Sequence, residues 1–297
     1  MHASVAAVQF QPRKGEIEAN LDRMAEIFGQ LADEGLPDLI VFPEASTTGY
    51  FLEGAVYELA RSAGEYAEAL QQRWRSAVSG ARSADVVIGF YERDAGTVYN
   101  SALYVTLGGE RPAIRHVHRK LFLPTYGVFD EQRFVTRGRR IGVFETSHFP
   151  SAILICEDVW HSICPTIAAL KGAQVMIVPS ASPGRGISGP EIETITQWRN
   201  TLQGAASEHG VYAVYAGLVG FEGGKGFTGT SMIVAPDGRI VAAGQRFEEC
   251  VVRATMDSDA INVARARLPF IGDLHDVLPD LLLDEELPVP RGGHLAR

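Results

Sequence analysis

The alternation of hydrophobic and polar positions predicts repeated strand–helix units from the first residues of the chain. Val5 to Phe10 is a short, largely apolar run that reads as a strand, and Glu16 to Asp33 sets Ile17, Leu21, Met24, Phe28 and Leu31 on one helical face. Leu39 to Phe42 predicts a second strand, Ala63 to Ser83 a helix, and Val86 to Tyr91 and Asn100 to Leu107 two further strands. Gly108-Gly109 is a hairpin signal ahead of Arg111. The apolar run Ser151 to Ile155 is followed by a helix near Ser162 to Lys171, closed by Gly172, and a strand from Val175 to Val178. Glu191 to His209 predicts a helix closed by Gly210, and Tyr212 to Val219 a strand. Pro236-Asp237-Gly238 joins Ser231–Ala235 to Arg239–Ala242 as a hairpin, with Cys250 to Met256 as the last strand.

Two such helix–strand repeats with near-continuous apolar strands predict an α/β fold of two packed sheets covered by helices. No linker divides the chain, so residues 1–268 read as one domain. Residues 269–297 read as an extended tail, with Leu281-Leu282-Leu283 and then Pro288, Pro290, Gly292 and Gly293. Leaving that leucine cluster in water is unfavourable, so it predicts packing on its own subunit or on a neighbouring one.

Composition narrows the class. A chain of 297 residues that is 46% hydrophobic can bury a sizeable core. No apolar run is long enough to span a bilayer, and Met1-His2-Ala3-Ser4 enters strand pattern without a signal-peptide core, which predicts a cytoplasmic protein with no membrane partner. Cys156, Cys164 and Cys250 have spacings that build neither a disulfide framework nor a zinc site, and a reducing compartment suits a free thiol. The net charge of −9 argues against a general nucleic-acid binder.

Candidate chemistry lies at three strand ends. Ser151-Ala152-Ile153-Leu154-Ile155 stops at Cys156, just before the charged turn Glu157-Asp158, which is how α/β enzymes present a nucleophile at a sheet edge. The bland alternative is a buried core cysteine. Asp38-Leu39-Ile40-Val41-Phe42-Pro43 stops at Glu44, and Lys120 leads into the loop Leu121 to Glu131. Converging on one edge, these would supply a thiol, a base to deprotonate it, and a cation for the oxyanion it generates.

These three segments, in this order, resemble the carbon–nitrogen hydrolase family, the nitrilase and amidase superfamily, from about Val5 to about Asp257. The loop Leu123 to Glu131 together with Cys156-Glu157-Asp158-Val159-Trp160 is most similar to the branch containing the glutaminase domains of glutamine-dependent NAD synthetases. The resemblance implies a four-layer α-β-β-α sandwich paired into a homodimer or larger homo-oligomer. It also implies Glu44 as general base, Lys120 as stabiliser of the tetrahedral intermediate and Cys156 as nucleophile. The chemistry so implied requires no metal or organic cofactor. Many stand-alone aliphatic amidases of the family carry a second glutamate eight residues after the lysine, where this chain has Val128. Glu131 is the candidate substitute, against a solvated loop carboxylate.

Substrate-side candidates follow by connectivity. Tyr50, on the Gly49 turn beyond Glu44, is either a pocket wall or a surface or core tyrosine. Glu157 and Trp160 follow the nucleophile directly. The loop carrying Ser182 and Arg185 leaves a strand at the same edge, with Arg185 placed to pair with a substrate carboxylate or simply to decorate a flexible loop. His116 and His118 lack a third metal ligand and read as solvated. Arg133, Arg137, Arg139 and Arg140 read as a solvated or subunit-facing basic patch, Gly223-Gly224-Lys225-Gly226 as a mobile entrance loop, and Cys164 and Cys250 as packing residues. Three functions fit: an amidase acting on a small primary amide, a nitrilase, or an ammonia-supplying or regulatory subunit. No ATP-binding pattern follows residue 260, so an ammonia-consuming partner is expected to be a separate chain.

Overall fold

A computed structural model gives the structure of the protein, described for residues 1–188 and 191–284. In chain order, β1 (His2–Gln9), α1 (Ile17–Gly35), β2 (Leu39–Val41), α2 (Val56–Leu59), α3 (Ala63–Ala77), β3 (Ala84–Asp94), β4 (Thr97–Leu107) and β5 (Ala113–Arg119) make the first half. The second half runs β6 (Val143–Phe144), β7 (Ser151–Ile153), α4 (Glu157–Trp160), α5 (Ile163–Leu170), β8 (Val175–Ser180), β9 (Ile187–Ser188), β10 (Glu191–Ile192), α6 (Glu193–His209) and β11 (Tyr212–Gly217). It closes with β12 (Val219–Glu222), β13 (Lys225–Thr228), β14 (Met232–Val234), β15 (Ile240–Ala243), β16 (Cys250–Asp257), α7 (Ser258–Arg267) and α8 (Phe270–Leu283).

Two six-stranded sheets result, ordered β16-β1-β2-β3-β4-β5 and β15-β14-β11-β8-β7-β6. The period-2 direction of strand side chains builds the layers. In the first sheet Ala6, Val8, Ile40, Val86 and Ile88 pack against Leu21, Met24 and Phe28 of α1 and Tyr66, Leu70 and Trp74 of α3. The intervening Val5, Ala7, Leu39, Val41 and Val87 face the other way, into one core with Ile153, Ile177 and Val214 of the second sheet. The outer face of the second sheet is covered by Ala168 of α5 and Trp198, Leu202 and Ala206 of α6. These clusters define the expected four layers, helix–sheet–sheet–helix.

The structure departs from the sequence reading at identifiable points. Helix α3 stops at Ala77 rather than Ser83, because the chain folds back there and Trp74 Nε1 donates to Arg82 O at 3.1 Å. Gly223-Gly224 is the turn of an antiparallel hairpin, β12–β13, rather than an unstructured loop. Residues after Pro269 do not run on as an extended tail: Phe270–Leu283 is α8, with Ile271 against the main core and Leu281, Leu282 and Leu283 exposed. Pro288, Pro290, Gly292 and Gly293 lie outside the described residues. No described helix is long and apolar enough to cross a membrane.

Candidate active site

Glu44 leaves β2 through a tight turn that requires close backbone packing. A Cβ on Gly89 of β3 would sit 2.5 Å from Glu44 Cα and from Pro43 O, so only glycine lets the strand pass. Lys120 follows β5, its N–H donating to Asn100 O at 2.9 Å. Cys156 leaves β7 with its N–H still donating to Pro179 O at 3.0 Å, and adopts φ 46°, ψ −101°. A non-glycine residue in that region stores strain, of order 1–3 kcal/mol, which persists only when the surroundings over-determine it.

The three side chains enter one buried cluster. Lys120 Nζ donates to Glu44 Oε1 at 2.7 Å and lies 2.9 Å from Glu131 Oε2, with the lysine and Glu44 side chains completely buried. Asn100 Nδ2 donates to Oε1 of both Glu44 and Glu131 at 2.8 Å. The Ala181 N–H donates to Glu44 Oε2 at 2.7 Å, and Ser180 Oγ donates to Cys156 Sγ at 3.2 Å. Glu131 is thus a member of the cluster and not a solvated loop carboxylate. Asn100, Ser180 and the Ala181 N–H escaped the sequence reading. Asn100 is an amide in a mostly apolar strand, and that was the one signal available.

Charge and burial set the resting protonation. Burial works against the Lys120 ammonium, but Glu131 and Glu44 outweigh it and hold the lysine well above its ordinary value. Burial pushes Glu131 up, Lys120 opposes this, and the neighbouring Glu44 adds to the rise. Burial and the Glu44 charge push the Cys156 thiol well up against the pull of Lys120, so the resting sulfur is a thiol. It becomes a nucleophile only as its proton leaves.

Tyr50 is buried, with Lys120 Nζ 5.7 Å above its ring. Its N–H and that of Phe51 donate to Glu222 Oε2 at 2.8 and 3.0 Å, tying the β12–β13 hairpin to the turn after Glu44. A cavity of about 350 Å³ beside the cluster is walled by Tyr50, Tyr91, Phe129, Glu131 and Lys225 among others. At the rim, Tyr126 Oη donates to Glu157 Oε2 at 2.8 Å. The Arg185 guanidinium lies 5.6 Å over the Tyr126 ring and 5.3 Å over Phe129, and its buried Nε has no hydrogen-bond partner. Ser182 is buried just beyond the Ala181 donor. Trp160 has its ring contact with α6, edge-on to Trp198 at 5.0 Å, rather than with the polar cluster. His118, expected in solvent, is buried and bonded through Nε2 to Asp158 Oδ2 at 2.8 Å. Asp158 also accepts from the Leu121, Phe122 and Ile155 N–H groups, which pins the Lys120 exit to the turn around Cys156. No group able to hold a metal ion exists among the described residues.

A buried acid–lysine pair thus lies beside a strained cysteine where strands of the two facing sheets end, and the chain belongs to the carbon–nitrogen hydrolase family, whose profile matches residues 4–266. It is 30% identical over 259 residues to a glutamine-dependent NAD(+) synthetase of Thermotoga maritima, covering 86% of this chain but only 42% of that one. The chain therefore spans about two-fifths of that relative's length. A 2-oxoglutaramate amidase of Bacillus subtilis is 27% identical over 275 residues, covering 92% of this chain and 98% of the relative. In structure the chain superposes on a carbon–nitrogen hydrolase from Helicobacter pylori G27 with TM-score 0.79 at 25% identity, over 95% of this chain and 98% of the other. The protein is a carbon–nitrogen hydrolase.

Proposed function

We propose that this hydrolase is an amidase for a small primary amide that bears a carboxylate at its far end. The observation that carries the reading is the buried Lys120–Glu44 contact of 2.7 Å beside the strained Cys156. Glu44 accepts the thiol proton as Sγ attacks the amide carbon. The oxyanion forms against Lys120 and the Glu157 N–H at the start of α4. Collapse expels ammonia, which takes the proton from Glu44 and leaves a thioester on Cys156. Water, deprotonated by Glu44, then attacks the thioester, and collapse returns the thiol and releases the acid. Glu131 contributes by keeping Lys120 charged and in place.

Arg185 supports the far-end carboxylate, since its buried Nε lacks a partner within the chain. Glu157 and Tyr126 stand beside it, suited to an amino group or a carbonyl on the neighbouring carbon. The 2-oxoglutaramate amidase and the glutamine-dependent synthetases are named for ω-amides of this kind. Nitriles are the competing substrates for the same three residues. Matched amide and nitrile pairs, assayed for ammonia and acid, test the choice: kcat/KM for the best amide should exceed that for its nitrile at least about tenfold, roughly 1.4 kcal/mol. Faster nitriles across the series overturn it.

The match to part of a larger glutamine-dependent synthetase favours a second reading, in which the ammonia is passed to a separate synthetase chain. Pairing through α8, whose three terminal leucines are exposed, and placement in the cytoplasm belong to the same proposal. So does the division into a hydrolase domain, residues 1–268, and a C-terminal segment.

A further inference from the structure

On the outer edge of the first sheet, away from Cys156, a second cleft of about 480 Å³ is walled by β5 and by the strap that follows the active-site loop. Its volume falls within the ~300–1,000 Å³ usual for small-molecule sites. The strap is pressed onto β5: Gly138 N–H donates to Lys120 O at 2.7 Å, and a Cβ there would lie 2.0 Å from Arg119 O. Arg137, Arg139 and Arg140 all line this cleft, and no aspartate or glutamate does. Arg119, on the same wall, is already neutralised by Glu92 at 2.7 Å and by Asp94. The three strap arginines have no ion pair among the described residues, unlike Arg23, Arg61, Arg73 and Arg253 elsewhere on the surface.

A cleft holding three unopposed guanidinium groups concentrates positive potential on a chain whose net charge is −9. His116 adds an independent sign. It lines the cleft, stacks on Phe144 at 4.5 Å, and its buried Nε2 has no hydrogen-bond partner. Burial lowers the pKa of this imidazole to about 4, so at neutral pH it offers one neutral ring donor or acceptor. Adjacent phosphates match planar guanidinium groups, each of which binds two oxygens at once.

We infer that the cleft between β5 and the strap is an anion site for a small molecule with two or more linked phosphates, held by Arg137, Arg139 and Arg140. Its occupant would sit one hydrogen bond from the Lys120 backbone. The test is calorimetric titration of the full-length protein with inorganic pyrophosphate and with ATP, both without magnesium. Arg139→Glu and Arg140→Glu should each weaken binding at least tenfold, with amidase turnover in the absence of phosphates unchanged. Arg111→Glu, at the far end of the β4–β5 hairpin, makes the same charge change and should leave affinity within about twofold. Tighter ATP than pyrophosphate assigns a nucleotide, and equal affinities assign the phosphates alone; either supports the site. No heat with either compound at millimolar concentration overturns it, as do equal losses in the Arg139 and Arg111 variants. Binding of an acidic peptide with no phosphate binding also overturns it, and makes the face a protein contact.

Discussion

The two six-stranded sheets stack face to face in the same strand style, yet they bring different things to the site. The first supplies the charges and the amide that joins them: Glu44 after β2, Asn100 within β4 and Lys120 after β5, all buried and mutually bonded. The second supplies the sulfur and neutral donors: Cys156 after β7, and Ser180 and the Ala181 N–H at the end of β8. Both turns carry a non-glycine residue at positive φ, Ala45 at 51° just after Glu44 and Cys156 itself at 46°, whereas the desolvated charge lies on the first sheet alone. The Ala181–Glu44 bond and the Asp158 contacts to Leu121 and Phe122 stitch the two contributions together. One sheet thus holds a proton acceptor and a fixed cation in place, while the other holds a neutral nucleophile that becomes reactive only through them.

Substitution should separate these contributions. Cys156→Ala should lower amide turnover by ~10⁴ or more, the scale for loss of a covalent nucleophile, while leaving thermal stability nearly unchanged, because alanine keeps the Cβ and the same backbone conformation. Lys120→Met should also be inactive, but it strands Glu44 and Glu131 as buried carboxylates without their cation, a loss of ~3–5 kcal/mol when one partner of a buried pair is removed. Paired thermal melts and turnover assays check both. If Cys156→Ala unfolds as readily as Lys120→Met, the division between the sheets is wrong.

Glu44→Gln sharpens the link between the two sheets. It keeps the shape and an acceptor for Asn100 and Lys120 but removes the base, so turnover should fall by ~10²–10⁴. Removing the Glu44 charge also removes one push that holds the Cys156 thiol up, but loss of the base that takes its proton should outweigh this, so iodoacetamide at neutral pH should label Cys156 readily in the wild type and slowly in this variant. Cys164, whose thiol burial pushes up to about 12, should remain unlabelled in both. Unimpaired labelling of Glu44→Gln by peptide mass spectrometry would assign the base role elsewhere.

Much of this arrangement was legible in the sequence, because apolar runs that stop at a charged or nucleophilic residue report both a strand and its open end. Leu39 to Glu44 and Ser151 to Cys156 are such runs, and the five-residue apolar face of α1 fixed its helix. Lys120 was legible through its order relative to the other two rather than through periodicity. What escaped is held by tertiary partners. The β3–β4 hairpin extends to Asp94 and Thr97 through residues too polar to read as strand, and Glu92 there accepts from Ser101 Oγ and Arg119 Nε, both at 2.7 Å. His118 looked like a solvent residue until Asp158, forty positions away, supplied its partner. Glu131 was legible only as one of two readings, a second site carboxylate or a solvated one, because it sits eleven residues from Lys120 on a short 3₁₀ turn whose path no local pattern announces.

Ser180→Ala should have the smallest effect, and it tests how the second sheet tunes its own nucleophile. The Ser180 hydroxyl donates to Cys156 Sγ at 3.2 Å and so favours the thiolate, opposing the upward push of burial and Glu44. A hydrogen bond is worth ~0.5–1.5 kcal/mol net, and 1.36 kcal/mol corresponds to one pKa unit, so removing it should raise the thiol by about one unit or less. The sign follows directly: a higher thiol pKa means less thiolate at a given pH. The pH profile of Cys156 alkylation should therefore move to higher pH in Ser180→Ala, and turnover should fall less than about tenfold. Cys250, half-buried on β16 at the other end of the chain, gives the internal reference, because its profile should not move. A Cys156 profile that stays in place, or moves to lower pH, would reduce Ser180 to packing and leave Lys120 on the first sheet as the group that favours the thiolate.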